Sequence, residues 1–222
     1  MLYSLEAAKA NIRNRDGKRV FYLGSSDQLT CEARDHLNRE RIEILPGHMA
    51  KPEQYRLLSG GYLTEKPEHM THLYGDVLVP KTHPRIRFRG AMDTLEAQLL
   101  LCKESPQLQE VLDLARRLIS CEVLNEPVGE FTLCGLTEQQ QRQHSHFPQE
   151  YYGQPHFMPS YSDGETLLRL NCARCAARNA ELAAAQAFSD EEGRLTREDI
   201  VKALNRMSSM LYILMIQEKS KS

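Results

Sequence analysis

The sequence lacks the apolar segments that direct a chain to or through a membrane. Residues 1–19 contain acidic and basic side chains and no continuous apolar stretch, so we expect no secretory signal. The longest apolar run, residues 210–216, is too short to cross a bilayer as a helix. We therefore expect no membrane partner and a cytoplasmic location.

An excess of charge of one sign is also absent. The 222 residues include 28 Lys and Arg against 30 Asp and Glu, a formal net charge of -2. Such a balance gives the chain no general attraction for nucleic acid or anionic membranes, so we expect neither as a partner. Basic residues can therefore matter only where they cluster.

The cysteines and histidines lack the spacing of a metal site. Six scattered cysteines in a chain without export signals predict reduced thiols. Cys172 and Cys175 are spaced like half a zinc site, but no second pair exists and alanines surround them, which favours core packing. The histidines form only loose pairs, so we predict no transition-metal site. These pairs are His69 with His72 and His144 with His146.

No P-loop or Rossmann glycine motif is present, so a nucleotide would have to be bound in another way. One basic segment, residues 81–96, is a candidate phosphate site because its cations lie just before or at an expected helix start. A solvated basic loop is the alternative. The cations are Lys81, Arg85, Arg87 and Arg89.

The segment of residues 167–188 has the period of a helix, with Arg174, Arg178 and Glu181 on one stripe among small apolar residues. We expect this helix to be packed on several sides, with its charges enclosed and in need of partners. An internal ion-pair network is one alternative. The other is a polyanion such as a nucleoside triphosphate, whose phosphates suit guanidinium groups.

The pattern changes along the chain and predicts two parts. Residues 1–70 predict a small N-terminal α/β appendage with an irregular linker over 46–67. Residues 71–222 predict an up-and-down helical bundle of about five helices, which makes the fold mainly α. The predicted bundle helices are 86–102, 106–124, 136–144, 167–188 and 197–217, with a Pro-, Tyr- and His-rich loop at 144–164.

The last predicted helix begins with residues 196–199, a sequence typical of a capping box. It carries a polar stripe of Asn205, Ser208, Ser209 and Tyr212 opposite an apolar seam. Such side chains commonly make interhelical hydrogen bonds alone. They gain a functional role if this helix lies antiparallel to the helix that carries Arg174.

Together these segments resemble the ATP:cob(I)alamin adenosyltransferases. The PduO-type members carry K-x-x-P-R-x(4)-G-x-x-D-E-L-N, then R-x(3)-R-x(2)-E on one helix, then N-R-x-S on the last. The matching residues are Lys81, Pro84, Arg85, Gly90 and Asp93, then Arg174, Arg178 and Glu181, then Asn205, Arg206 and Ser208. The ethanolamine-utilisation, EutT-like branch is more similar, through residues 71–73, 125–129, 136–138 and 204–209.

The chain departs from the family pattern in three places. D-E-L-N is replaced by Asp-Thr-Leu-Glu at residues 93–96, and the glycine-rich T-G-D-x-G phosphate loop is absent. Residues 46–80 contain no cysteine, so the Cys-Cys-x-x-Cys metal cluster of some EutT-like enzymes is missing. The nucleotide loop must therefore be built differently here.

The resemblance implies a transferase that moves the 5′-deoxyadenosyl group of ATP to cob(I)alamin, giving adenosylcobalamin and triphosphate, to supply ethanolamine ammonia-lyase. Because the reduced cobalt attacks the 5′ carbon itself, the protein has to align the reactants and stabilise the leaving triphosphate. Mg2+ accompanies ATP, with Glu181 as the candidate protein ligand. The implied catalytic residues are Arg174, Lys81 and Glu181. The implied ATP contacts are Lys81, Arg85, Asp93, Arg174, Arg178, Glu181 and Asn205.

The resemblance also implies a water-poor cobalamin pocket, and the aromatic loop is our candidate for its wall. Ordinary anchoring of a long loop is the alternative. The aromatic residues concerned are Tyr151, Tyr152, Phe157 and Tyr161.

Active sites of this family lie between subunits, which implies a homo-oligomer, a trimer or alternatively a dimer. Ethanolamine ammonia-lyase and a bacterial microcompartment are the further partners that the resemblance implies. Two other functions compete with the enzyme. One is an inactive carrier of cobalamin or nucleotide on the same bundle, and the other is a structural helical protein of the ethanolamine-utilisation machinery.

Overall fold

The computed structural model describes residues 2–15, 18–47 and 54–221. The chain divides into two compact units, Met1–Lys81 and Thr82–Ser222. The domain division that we predicted between residues 70 and 71 stays a prediction. His48 and Pro52, which belong to the predicted linker, lie outside the described residues.

The first unit begins with a small α/β fold, as its sequence predicts. Strand β3 forms a sheet with antiparallel β2 and parallel β5, and α2 connects β3 to β5 because a parallel pair requires a crossover. Phe21 and Leu37 are fully buried in the core beside this sheet. The elements are β1 (Leu2–Tyr3), α1 (Leu5–Ala10), β2 (Arg13–Arg15), β3 (Lys18–Leu23), β4 (Gln28–Leu29), α2 (Cys31–Arg39) and β5 (Glu43–Pro46).

A second sheet in this unit was not predicted. It has the strand order β7-β6-β9-β8 and packs around Tyr55, Met70 and Leu78. Its strands are two to five residues long, so the alternation of apolar and polar residues is too brief to detect in the sequence. The strands are β6 (Tyr55–Leu57), β7 (Tyr62–Leu63), β8 (Met70–Tyr74) and β9 (Val77–Pro80).

The second unit is a helical bundle, which confirms the predicted fold class. The short helix α6 lies inside the segment that we predicted as a loop. No helix in the described part of the chain is long and apolar enough to span a membrane. The elements are α3 (Pro84–Leu100), α4 (Pro106–Leu124), β10 (Thr132–Leu133), β11 (Leu136–Thr137), α5 (Glu138–His146), α6 (Pro148–Tyr152), α7 (Gly164–Phe188) and α8 (Glu198–Lys219).

The start of α8 differs from the predicted capping box. The Thr196 hydroxyl donates to the Phe188 carbonyl at 2.8 Å, while the Asp199 carboxylate accepts from the Val128 N–H at 3.0 Å. Arg197 pairs with Asp199 and also donates to the Glu126 carbonyl at 2.8 Å. These side chains bind neighbouring segments instead of capping their own helix, so the prediction of a capping box is wrong.

Helix α7 lies antiparallel to both α3 and α8. Phe88 of α3 meets Phe188 at the end of α7, with ring centroids 5.5 Å apart. Four alanines of α7 have no exposed surface, and small side chains allow neighbouring helix axes to come close. They are Ala173, Ala177, Ala180 and Ala184. The position of α7 in the bundle therefore depends on this alanine seam.

Overpacking the seam is expected to destabilise the protein. We expect Ala177→Leu to lower the free energy of unfolding by about 1–3 kcal/mol, because three added heavy atoms have no space between the helices. Gln186→Leu on the exposed side of α7 is the matched control, with an expected change under about 0.5 kcal/mol. Urea unfolding at one protein concentration measures both, and equal effects would contradict the close packing of α7.

Candidate functional site

The polar residues of α7 and α8 meet along the contact between these helices. Asn205 Nδ2 donates to Glu181 Oε1 at 2.9 Å. About two turns along α7, the Cζ atom of Arg174 lies 5.3 Å from the centre of the Tyr212 ring. The antiparallel arrangement therefore places the polar stripe of α8 beside Arg174 and Glu181.

The charges of this stripe are less enclosed than we predicted. Arg174 and Glu181 are half-buried, Arg178 is exposed, and Leu182 on the same side retains 70% of its surface. The predicted packing of α7 on several sides is wrong for a single chain, because α3 and α8 leave one side of α7 open. Cys172 and Cys175 are exposed on α7, so their predicted core packing is wrong too.

Arg174 and Arg178 have no acidic partner in the described part of the chain. No carboxylate there lies within 4.0 Å of either guanidinium group. The ion-pair alternative is thereby excluded for the described residues of one chain. Two uncompensated cations one turn apart on a helix are suited to bind an anion with several oxygens.

Asp93 belongs to α3, the other neighbour of α7, and is exposed. Asp93 lies five residues after Phe88, and Glu181 lies seven residues before Phe188. Because Phe88 contacts Phe188 and a helix rises about 1.5 Å per residue, Asp93 and Glu181 differ by only about 3 Å in their height along the helix axes. Glu96, which stands where the PduO-type pattern has Asn, pairs with Arg116 of α4 at 2.6 Å. Glu96 is thus engaged in helix packing.

The arginines at the start of α3 are organised by a carboxylate that sequence analysis missed. Glu122 of α4 is fully buried and accepts from Arg85 Nε at 2.6 Å and from Arg89 Nε at 2.7 Å. The only sequence signal was an acidic residue within an apolar helical pattern. Arg85 therefore joins α3 to α4, and its predicted contact with ATP stays a prediction.

Lys81 is the last residue of the first compact unit, and its Nζ atom lies 3.0 Å from Glu68 Oε1. Both of these side chains are largely exposed, so the pair contributes little to stability. Nothing in this contact tests the predicted role of Lys81. Its place in a nucleotide site stays a prediction.

His83 caps α3 within the same basic segment. Its Nδ1 atom accepts from the Arg85 N–H at 3.2 Å. Partial burial lowers the pKa of His83, and the Arg85 and Arg89 cations lower it further, while the Glu122 carboxylate opposes them. His83 therefore favours its neutral form, the form in which Nδ1 can accept a hydrogen bond.

The aromatic residues of the predicted cobalamin wall fall into separate contacts. The Tyr152 hydroxyl binds His144 Nδ1 at 2.8 Å, and Tyr151 stacks on the His144 ring at 3.8 Å. Phe157 packs instead near Tyr212, and Tyr161 is fully exposed. Tyr152 and Phe157 thus anchor the loop to the bundle, and the cobalamin wall stays a prediction.

A groove of about 300 Å³ lies elsewhere in the second unit and includes none of the predicted ATP contacts. Burial and the nearby Glu110 carboxylate raise the pKa of Cys134 in this groove to about 11, so its thiol stays protonated. In the described ranges, no group of three or more His, Cys, Asp or Glu residues is arranged to hold a metal ion. The lining residues are Pro106, Gln107, Glu110, Cys134, Leu136, Tyr152, Met210 and Gln217.

Comparison with known proteins identifies the family of this chain. Residues 61–218 match the family model described as Cobalamin adenosyltransferase, and this range contains α3, α7 and all of α8 except its last residue. The chain belongs to the cobalamin adenosyltransferase family. The resemblance found in the sequence is therefore confirmed.

This member of the cobalamin adenosyltransferase family is similar to two proteins named corrinoid adenosyltransferase EutT. Corrinoid adenosyltransferase EutT of Salmonella typhimurium LT2 is 33% identical over 165 residues, and the match covers 72% of this chain and 62% of that protein. The protein of the same name from Escherichia coli K12 is 32% identical over the same length and the same shares. The chain thus spans less than two thirds of the length of these relatives.

The buried Glu122 of this family member is expected to stabilise the fold. We expect Glu122→Gln to lower the free energy of unfolding by about 3 kcal/mol, because two guanidinium groups lose their shared buried counter-charge. Glu96→Gln is the control, since its partner Arg116 is partly exposed and the loss should stay below about 1 kcal/mol. Denaturant unfolding that gives both variants the same loss would contradict this role of Glu122.

The lowered pKa of His83 predicts a loss of stability in mild acid. The folded protein resists protonation of His83, whereas the unfolded chain binds a proton near the ordinary pKa of 6.5. The free energy of unfolding should therefore fall as the pH drops below about 6.5. His83→Asn keeps a capping acceptor without the titration and should lose less stability between about pH 7.5 and pH 5.5. Parallel pH profiles for the two proteins would contradict the assignment.

Proposed function

We propose that this chain transfers the 5′-deoxyadenosyl group of ATP to cob(I)alamin, giving adenosylcobalamin and triphosphate. The observation that supports it is the pair of uncompensated cations, Arg174 and Arg178, beside the hydrogen-bonded Glu181 and Asn205. The relatives' name, corrinoid adenosyltransferase, supports the reaction class.

In the proposed reaction the reduced cobalt donates its electron pair to the 5′ carbon of ATP. The bond between that carbon and its oxygen breaks, and triphosphate leaves with the bonding electrons. No nucleophile or proton from the protein is required. The protein has to hold the two reactants in line and stabilise the negative charge that collects on the triphosphate.

We assign the triphosphate to Arg174 and Arg178, whose planar guanidinium groups match phosphate oxygens. Lys81 and Arg85 are the further candidates for this contact. Arg174, Lys81 and Glu181 remain the proposed catalytic residues.

Glu181 and Asn205 are assigned to the ribose and to Mg2+. The Asn205 amide engages Oε1 of Glu181, while Oε2 has no hydrogen-bond partner within the described ranges. A single carboxylate beside a triphosphate fits Mg2+, which takes most of its ligands from phosphate and water. Asp93, at nearly the same level on α3, is the second carboxylate of the proposed site.

We infer that a second copy of the chain covers the open side of α7 and completes the site. Arg178 and Leu182 lie on that side, and a 70% exposed leucine next to unpaired cations supports a contact absent from one chain. The proposed assembly is a trimer, or alternatively a dimer. The cobalamin wall of Tyr151, Tyr152, Phe157 and Tyr161 is part of the same proposal.

The biological role that we propose is the supply of adenosylcobalamin to ethanolamine ammonia-lyase. The similarity to the EutT proteins supports it. The enzyme would act in the cytoplasm, where it would contact the ammonia-lyase or a bacterial microcompartment.

An anaerobic assay with chemically reduced cobalamin and MgATP tests the reaction. We expect a light-sensitive cobalt–carbon bond to form, and Arg174→Ala to lower the rate by about 100-fold or more, the effect of removing one preorganised charge donor. Arg169→Ala is the matched control, because Arg169 lies on α7 and pairs with Glu165 at 2.6 Å. The far-UV circular dichroism of Arg174→Ala has to match that of the wild type, because the loss of rate must not come from loss of helix.

Other outcomes contradict the proposal in distinct ways. Full activity of Arg174→Ala would show that Arg174 does not belong to the site. Binding of MgATP in calorimetry without product would indicate the inactive carrier, and absence of binding would indicate a structural protein.

A further inference from the structure

Tyr212 of α8 lies between Arg174 and the loop that follows α6. The Arg174 Cζ atom is 5.3 Å from the centre of the Tyr212 ring, a distance at which a guanidinium group is attracted to an aromatic face. No hydrogen bond or ion pair of Arg174 occurs in the described part of the chain. The ring is therefore the contact that can orient this cation.

The Tyr212 hydroxyl is fixed by His156 of the loop. His156 Nε2 lies 3.1 Å from the His146 carbonyl oxygen, which can only accept, so Nε2 carries the proton. In the neutral ring Nδ1 is then an acceptor, and the Tyr212 hydroxyl donates a hydrogen bond to it at 3.0 Å. The Phe157 N–H donates to the same hydroxyl oxygen at 3.5 Å. The hydroxyl is held as both donor and acceptor.

The rings of the loop also fix the tilt of Tyr212. The His156 ring is nearly parallel to it, with centroids 5.8 Å apart and an interplanar angle of 9°. The Phe157 ring lies 6.0 Å away at 27°. Such offset arrangements are the favoured ones for aromatic pairs. The orientation of Tyr212 thus depends on how the loop lies on α8.

We propose that Tyr212 is a positioning residue that holds the Arg174 guanidinium ready for the triphosphate, and that His156 holds Tyr212. This inference rests on the proposed function. An aromatic face suits the task because it attracts the cation without accepting hydrogen bonds along the guanidinium fork, so the N–H groups stay free for phosphate oxygens. A carboxylate partner would occupy those donors. Orienting the long side chain beforehand also lowers the entropy lost when ATP binds.

Nitrogen-15 NMR of the arginine side chains tests the contact without any ligand or activity. The Arg174 signal, assigned by its loss in Arg174→Lys, should show an upfield ring-current shift that disappears in Tyr212→Leu and persists in Tyr212→Phe. His156→Leu should reduce the shift. His144→Leu on α5 is the control, because His144 contacts Tyr151 and Tyr152 and its loss should leave the shift unchanged. A shift that is the same in Tyr212→Leu and the wild type overturns the proposal.

A double-mutant cycle on MgATP affinity tests the consequence for the site. We expect Tyr212→Leu to weaken MgATP binding by about 5- to 10-fold, the size of one cation–π contact, and Tyr212→Phe to weaken it by less. In the Arg174→Ala background the same substitution should have no further effect. An equal loss in both backgrounds overturns the positioning role. Absence of product from wild-type protein would overturn the proposed function instead, and the NMR result would still decide the contact.

Discussion

The close packing of α7 between α3 and α8 is the constraint on which the candidate site depends. Its buried alanines, of which Ala177 is one, have no exposed surface, and close packing of such small side chains favours one register against the neighbours. That register brings Glu181 to Asn205 and Arg174 to Tyr212. A slip of one residue would turn the charged stripe by about 100° and separate both pairs.

Charge is distributed unevenly around this packing. The cations Arg85 and Arg89 at the start of α3 share the buried carboxylate of Glu122, and that cluster joins α3 to α4. Arg174 and Arg178 have no such partner in the described part of the chain. This difference between the two pairs is the observation on which the proposed anion site at Arg174 and Arg178 rests. The open side of α7 is consistent with a site that a second copy completes.

Much of this could be predicted from the sequence because helical periodicity extends over many turns. The long helices follow from such patterns, and the ordered motifs identified the family. The contact of Asn205 with Glu181 was not predicted, because periodicity gives the face of each helix but not its register against a neighbour. Burial could not be predicted in the same way, since Arg178 and Cys175 are exposed because α3 and α8 leave one side of α7 open in a single chain. The partner of Arg85 was missed because Glu122 lies 37 residues away, beyond the reach of any local pattern.

In the proposed function, the guanidinium group of Arg174 binds the triphosphate of the nucleotide. Calorimetry with ATP and with adenosine, each in the presence of Mg2+, tests it most directly on the wild type and Arg174→Ala. We expect the substitution to weaken ATP binding by about 10- to 100-fold, the effect of losing a charge-assisted hydrogen bond, and to leave adenosine binding unchanged. An equal loss for both ligands, or a loss for neither, would contradict it.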